Sequence, residues 1–266
     1  MNSTICESTR SDYEKRGFCI KRNALDPERM QEIGMELEAT MDRRSGETNV
    51  YVNGELHQEK KRPEDMREPH IDEPFWLGLC GEPKILDALE ELIGPNLVLL
   101  MSHLFVKPPK EGMSIAWHQD IVEWAHISGS NICTVWLALD DVDLENGCMQ
   151  VIPESHRGSP VIEKMETKGT DYLGRESMIS DEQRRSAAPI ELKAGEFSIH
   201  DAYLVHGSGS NTSQRRRAGY TMRYADPETL QIDPAQHWSP LYLVRGEVDW
   251  PAKSYVDARP AAQGAS

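Results

Sequence analysis

The chain is short of several things, and each shortage removes a class of function. Among 266 residues there are five cysteines, Cys6, Cys19, Cys80, Cys133 and Cys148, an odd number with no CxxC spacing. A disulfide framework and a structural zinc site both need paired or closely spaced thiols, so neither is expected. Basic residues are outnumbered, 29 Lys and Arg against 44 Asp and Glu, for a formal net charge of -15. Nonspecific nucleic-acid binding relies on basic surface and is not expected. No apolar run approaches the length of a membrane span, and "MNSTICESTRSDYEKRG" lacks the apolar core of a signal peptide. A cytoplasmic protein with no nucleic-acid or membrane partner is the expectation, and nothing in the pattern speaks to oligomeric state.

Low-complexity linkers and internal repeats are missing too, so a single domain over residues 1–256 is expected, with a flexible tail at 257–266 where "ARPAAQGAS" is small and polar. What is present changes character along the chain. In "LDPERMQEIGMELEATMDRR", Asp26 is placed to cap, Pro27 suits the first turn, and Met30, Ile33, Leu37 and Met41 recur at helical spacing. "GEPKILDALEELIGP" repeats the pattern and stops at Gly94-Pro95. From residue 96 onward, strand-length runs such as "NLVLLMSHLFVK", "NICTVWLALDDV" and "RAGYTMRYAD" are separated by Gly, Pro, Asn and Asp. Helices followed by many short strands predict an α+β chain whose β part is a sandwich or jelly roll.

Within those strands, "SIAWHQDIVEWAH" carries a His-x-Asp. If the strand continues through it, His118 and Asp120 point to one face, and imidazole with carboxylate suits a divalent iron, manganese or zinc ion. A satisfied polar pair explains the dipeptide equally well unless a third ligand exists. "SIHDAYLVHGSGSNTSQRRRAGYTMRY" offers His200 and His206, the latter at the end of an apolar strand with Ser208 on its face. Arg217 begins the next strand and shares a face with Gly219, Thr221 and Arg223, where small residues leave room for an anion. Arg215 and Arg216 read as a solvated basic turn. Two His and a carboxylate with open positions form the facial triad of non-haem iron oxygenases, and a fixed guanidinium suits the far carboxylate of a 2-oxo acid.

These stretches resemble the phytanoyl-CoA dioxygenase family of iron(II)- and 2-oxoglutarate-dependent oxygenases. The resemblance is carried by "WHQD" at 117–120, "VWLALDDVDLENGCMQVIPESHRG" at 135–158, and "HGSGSN" at 206–211 with Arg217 beyond. It implies a double-stranded β-helix (a jelly roll, cupin-like) with flanking N-terminal helices. It also implies His118, Asp120 and His206 as the catalytic metal ligands, with Fe(II), 2-oxoglutarate and dioxygen as cofactor and cosubstrates. The family arginine eleven positions after the distal histidine corresponds to Arg217 and not to any residue counted from His200, which becomes structural. Ser208 matches a hydroxyl that helps hold the same carboxylate. Trp136 matches a pocket tryptophan, and Thr134 shares its face.

The implied activity is hydroxylation of a small-molecule C–H bond with release of succinate and CO2. Halogenating relatives lack the aspartate, whereas Asp120 is present here. The motif does not reproduce the longer signature of the ectoine-hydroxylating branch. Substrate contacts are expected from the N-terminal region and the residues after the first motif: Tyr51, Gln58, Arg62, Arg67 and His70, with Trp124 and His126. Two other classes use similar folds. A cupin-type isomerase or metal hydrolase has no need of Arg217, and a non-catalytic binding or sensor module has no need of an intact triad.

Overall fold

The computed structural model describes residues 10–44, 47–52, 55–60, 65–124, 126–167, 173–232, 239–248 and 255–259, with side chains described outside 47–52 and 55–60. Its framework is two sheets facing each other. In the larger, the strands run in the order Phe18–Lys21, Phe197–Asp201, Ile132–Ala138, Arg217–Ala225, Leu97–Lys107, Leu241–Arg245 and Tyr255–Asp257, with Asp65–Arg67 also pairing onto Leu97–Lys107. The smaller runs Ala188–Pro189, Met149–Val151, His206–Ser208, Ile115–His118. This is the double-stranded β-helix, and its two sheets enclose a cavity.

Period-two alternation decides which residues reach that cavity. On Ile132–Ala138, Cys133, Val135 and Leu137 join the core beneath the N-terminal helices, while Trp136 and Ala138 join the core between the sheets. Those helices form where expected. Pro27–Arg43 is capped by Asp26, whose carboxylate accepts from the Arg29 N–H at 2.9 Å, and it buries Ile33 and Leu37 against the large sheet. Pro83–Ile93 ends at Gly94, which takes φ +105°. The indole of Trp76, wholly buried, donates to Thr40 at 3.0 Å and ties two helical segments together.

Glu47–Val52 pairs with Glu55–Lys60 as an antiparallel hairpin, which takes in part of the charged stretch after Gln58. Three expectations are corrected. The run "IELKAGEFSIHDAYLVH" is two strands in two sheets. The chain leaves the large sheet at Asp201, turns, and enters the small sheet at His206. His206 therefore opens a strand and does not close one. The His-x-Asp is not continuous strand either: the strand ends at His118, and Asp120 starts the helical turn Asp120–Glu123. Finally, Asp257–Arg259, at the start of the expected tail, are docked. Asp257 lies in a strand, and the Ala258 N–H donates to the Leu243 carbonyl at 2.9 Å. Residues 260–266 lie outside the described residues.

Candidate active site

The two halves of the metal motif meet because their strands pair. His118 and His206 are direct partners in the small sheet, with ring centroids 4.1 Å apart. Each ring is fixed from behind. His118 Nδ1 lies 2.8 Å from the Ala116 carbonyl and His206 Nδ1 lies 3.0 Å from the Leu204 carbonyl. A carbonyl only accepts, so both Nδ1 atoms carry the proton and both Nε2 lone pairs face the cavity. Gln119, between the ligands in sequence, points the other way and is fully buried. Its amide donates to the Tyr203 carbonyl at 2.6 Å and the Pro160 carbonyl at 2.8 Å, and its oxygen accepts from the Ile162 N–H at 2.9 Å. That anchor, with the Ile121 N–H donating to the Ala202 carbonyl at 3.0 Å, bends the chain so that Asp120 comes back beside His118.

The two oxygens of Asp120 have different surroundings. Oδ1 is 3.8 Å from both His118 Nε2 and His206 Nε2. Oδ2 accepts from the Thr134 hydroxyl at 2.5 Å and faces His200 Nε2 at 3.5 Å and Arg223 Nε at 4.0 Å. One oxygen is turned to the centre and the other is held. The three candidate ligand atoms lie within 4.8 Å of one another, so His118, Asp120 and His206 can hold one metal ion. Burial raises Asp120, but Arg223 and His200 outweigh it and hold the carboxyl well below its ordinary value. Burial pushes both histidines down, His206 further because His118 and His200 are close. An ionised carboxylate and two neutral imidazoles are the protonation states that bind a cation directly.

A cavity of about 710 Å³ opens over the triad, and Arg217, Ser208, Trp136, Thr134, Trp124 and Arg67 all line it. Arg217 is 2% exposed, and its Nε and Nη1 have no hydrogen-bond partner among the described residues. Burial pulls its pKa down to about 10, still charged at neutral pH. A buried guanidinium without an anion is costly, and one that lines a cavity is completed by a bound carboxylate. The donor set therefore fits 2-oxoglutarate. Its guanidinium carbon sits 4.6 Å from the centre of the Trp136 ring. The small residue beside it does a different job from the one expected: a Cβ on Gly219 would run into the Trp136 ring, so the space over Gly219 holds indole and not an anion.

Other assignments change with the geometry. Thr134 lines the cavity, but its hydroxyl is committed to Asp120. His70 is core and not cavity wall: it is 1% exposed, Nδ1 is 2.7 Å from the Ser102 hydroxyl, and its ring packs edge-on to Tyr242. His126 sits half-buried in a turn outside the cavity lining. The side chains of Tyr51 and Gln58, and Arg62 altogether, lie outside the described residues. Arg215 and Arg216 pair with Asp143 and Asp140 at 2.7 and 2.9 Å, as a basic turn does.

The site roles of three residues were missed. His200 is more than structural filler, because its register partner Thr134 brings it against Asp120 and its ring lies 4.5 Å from His206. Lys107, opposite Arg217 in the sheet, donates to Ser208 Oγ at 2.7 Å and the Gly209 carbonyl at 2.5 Å. Burial and Arg217 push it down to about 6. Arg223 enters the cavity beside Asp120. Period two already places Arg223 on the Arg217 face, and His200 is a candidate ligand until the spacing to Arg217 sets it aside; nothing local in sequence marks Lys107.

Fold and site together define a non-haem iron- and 2-oxoglutarate-dependent oxygenase. Within that class the chain belongs to the phytanoyl-CoA dioxygenase (PhyH) family, whose model matches residues 13–219. Bovine peroxisomal phytanoyl-CoA dioxygenase is 24% identical over 243 residues, covering 87% of this chain and 72% of its own. A probable alpha-ketoglutarate-dependent hypophosphite dioxygenase of Stutzerimonas stutzeri is 28% identical over 205 residues, covering 73% and 71%. Among solved structures, the apo form of the non-heme monooxygenase ThoJ superposes with a TM-score of 0.73 at 24% identity, covering 93% of this chain and 86% of that one.

Proposed function

We propose that the protein hydroxylates a C–H bond of a small molecule, consuming 2-oxoglutarate and dioxygen and releasing succinate and CO2. The observation that carries this reading is the shared cavity. Asp120 Oδ1 lies 3.8 Å from two neutral imidazole nitrogens, and a buried guanidinium without an anionic partner among the described residues lines the same space. His118, Asp120 and His206 are assigned to iron(II), and Arg217, with Ser208 lining the same cavity from the other sheet, to the far carboxylate of 2-oxoglutarate. Bound iron with its cosubstrate and dioxygen supplies the oxidation itself: the 2-oxo acid is decarboxylated and one oxygen atom goes to the substrate.

The chain's own residues set the conditions. His118 and His206 need lose no proton to ligate, and Thr134 with Arg223 keeps Asp120 ionised and oriented. Arg217, pinned on Trp136, arrives already desolvated, so binding a carboxylate costs little reorganisation. Met101, Ile115, Met149 and Trp124 give the cavity apolar walls that exclude water. The four described cysteines, Cys19, Cys80, Cys133 and Cys148, are buried free thiols, which supports a reducing cytoplasm.

The test is succinate release from 2-oxoglutarate by iron-reconstituted protein, with a mass screen of candidate small molecules for gain of one oxygen. Asp120→Ala and His206→Ala are expected to abolish substrate-dependent succinate release. Full activity in either variant, or none in the wild type, defeats the assignment.

A further inference from the structure

Asp120 has a cationic neighbour, Arg223, to which no part of the cosubstrate has been assigned. Arg217 and Arg223 occupy the same face of the strand Arg217–Ala225, six residues and therefore about 20 Å apart at the backbone. Arg223 lies at the metal end. Its Nη1 donates to Thr221 Oγ1 at 2.5 Å, and its guanidinium carbon sits 5.9 Å from the centre of the Trp124 ring. Its Nε is buried without a hydrogen-bond partner among the described residues. The nearest carboxylate oxygen, Asp120 Oδ2, is 4.0 Å away and already accepts from Thr134.

Oδ2 is the oxygen turned away from the two histidine Nε2 atoms. A group bound by Arg223 therefore sits beside the metal position and not on it. The charge around it points the same way. In a chain of net charge -15, the cavity is lined by four arginines, Arg67, Arg175, Arg217 and Arg223, against three acids, Glu68, Asp120 and Glu123. Glu123 pairs with Arg175 as well as Lys164, cancelling one lining cation against one acid, and Asp120 is assigned to the metal, which leaves Arg67, Arg217 and Arg223 against Glu68. Concentrating cations in one concave site of an acidic protein attracts anions there selectively.

We propose that Arg223 is the residue that selects the substrate, binding an oxyanion, carboxylate or phosphonate, on a molecule whose apolar skeleton lies against Trp124, Met101 and Phe105. The proposal rests on the oxygenase reading above for the identity of the site, and it goes further in naming the substrate class. It assigns the two guanidiniums of one strand to two different acids, Arg217 to the cosubstrate and Arg223 to the substrate.

The experiment uses iron-loaded protein with 2-oxoglutarate under anaerobic conditions, so that binding is read without turnover. Matched pairs are titrated: alkyl and aryl carboxylic acids against their primary amides, and alkylphosphonates against their dimethyl esters. Tryptophan fluorescence and thermal shift report binding. At least one acid is expected to bind about tenfold or more tighter than its neutral partner, the size of a charge-assisted hydrogen bond. With iron and 2-oxoglutarate held at saturation, since Arg223 also supports Asp120, that preference should vanish in Arg223→Gln while the neutral partner's dissociation constant changes less than about threefold. The more effective anion type identifies carboxylate or phosphonate.

Two results overturn the proposal: no acid preferred over its neutral partner in the wild type, or a preference that survives in Arg223→Gln, as it does when acid and neutral partner weaken equally because Arg223 serves Asp120 alone. If Arg223→Gln does not fold, Arg223→Met decides: it keeps much of the side chain's length and removes the charge, and an unchanged preference overturns the assignment. Absence of succinate on admitting oxygen defeats the oxygenase reading separately, because the binding comparison needs no turnover.

Discussion

The hydroxyl of Thr134 donates to Asp120 Oδ2, 14 residues away in sequence, at 2.5 Å and leaves Oδ1 facing His118 and His206 at 3.8 Å each. One short bond thus chooses which carboxylate oxygen is presented to the metal position. Thr134→Val keeps the shape and removes the donor. Iron affinity is expected to fall about 10- to 100-fold, the usual cost of losing a partner behind a metal ligand. Metal titration followed by chelator competition measures it, and unchanged affinity would show that Asp120 is oriented by its backbone turn alone.

Arg217→Met is expected to act with opposite signs on two quantities. Removing a buried cation that has no anionic partner among the described residues should leave the cosubstrate-free protein as stable as the wild type or more so. The same change should raise the KM for 2-oxoglutarate by about 10- to 100-fold through loss of charge-assisted hydrogen bonds. Thermal melts with and without 2-oxoglutarate separate the two. A large loss of stability in the cosubstrate-free variant contradicts the role assigned to Arg217.

Gly219→Ala tests the indole's place under the guanidinium. The added methyl would collide with the Trp136 ring, over which the Arg217 guanidinium also lies. A cost of about 1–3 kcal/mol is expected, together with weakened 2-oxoglutarate binding. Restoration of binding in Gly219→Ala combined with Trp136→Leu would show that the ring was the obstacle.

His70 makes stability depend on pH. Burial pushes its pKa down to about 4, although the Glu68 carboxylate is 3.5 Å from Nδ1. The unfolded chain has the ordinary value near 6.5, so between these values the unfolded state binds more protons and stability rises with pH. The contribution is complete above about pH 6.5 and is lost as pH falls toward 4, up to about 3 kcal/mol. Replacement by Phe should flatten the stability profile over that window, as measured by denaturant unfolding at stepped pH.

Legibility in the sequence follows the range of the interactions. The helix Pro27–Arg43 was readable because its cap, proline and apolar spacing are all local, and the helix Pro83–Ile93 for the same reason. Strands after residue 96 were readable as segments. Their assignment to sheets was not, since the turn between Asp201 and His206 carries no glycine or proline and looks like continuous strand. The break at His118 was hidden likewise, because it depends on Gln119 gripping carbonyls of residues 160 and 203.

The amino-acid sequence by itself determined the types and spacing that matter most: His118-x-Asp120, a distal His206, and Arg217 opening a strand. Motif chemistry is local and survives in one dimension. Only the tertiary structure decided that Thr134 holds Asp120, that Gly219 makes room for Trp136, that His70 is core, and that His200, Lys107 and Arg223 belong to the site. Each of those depends on which strands become neighbours and in what register. That choice is made by burial of apolar surface summed over the whole sheet, and no short window of sequence contains it.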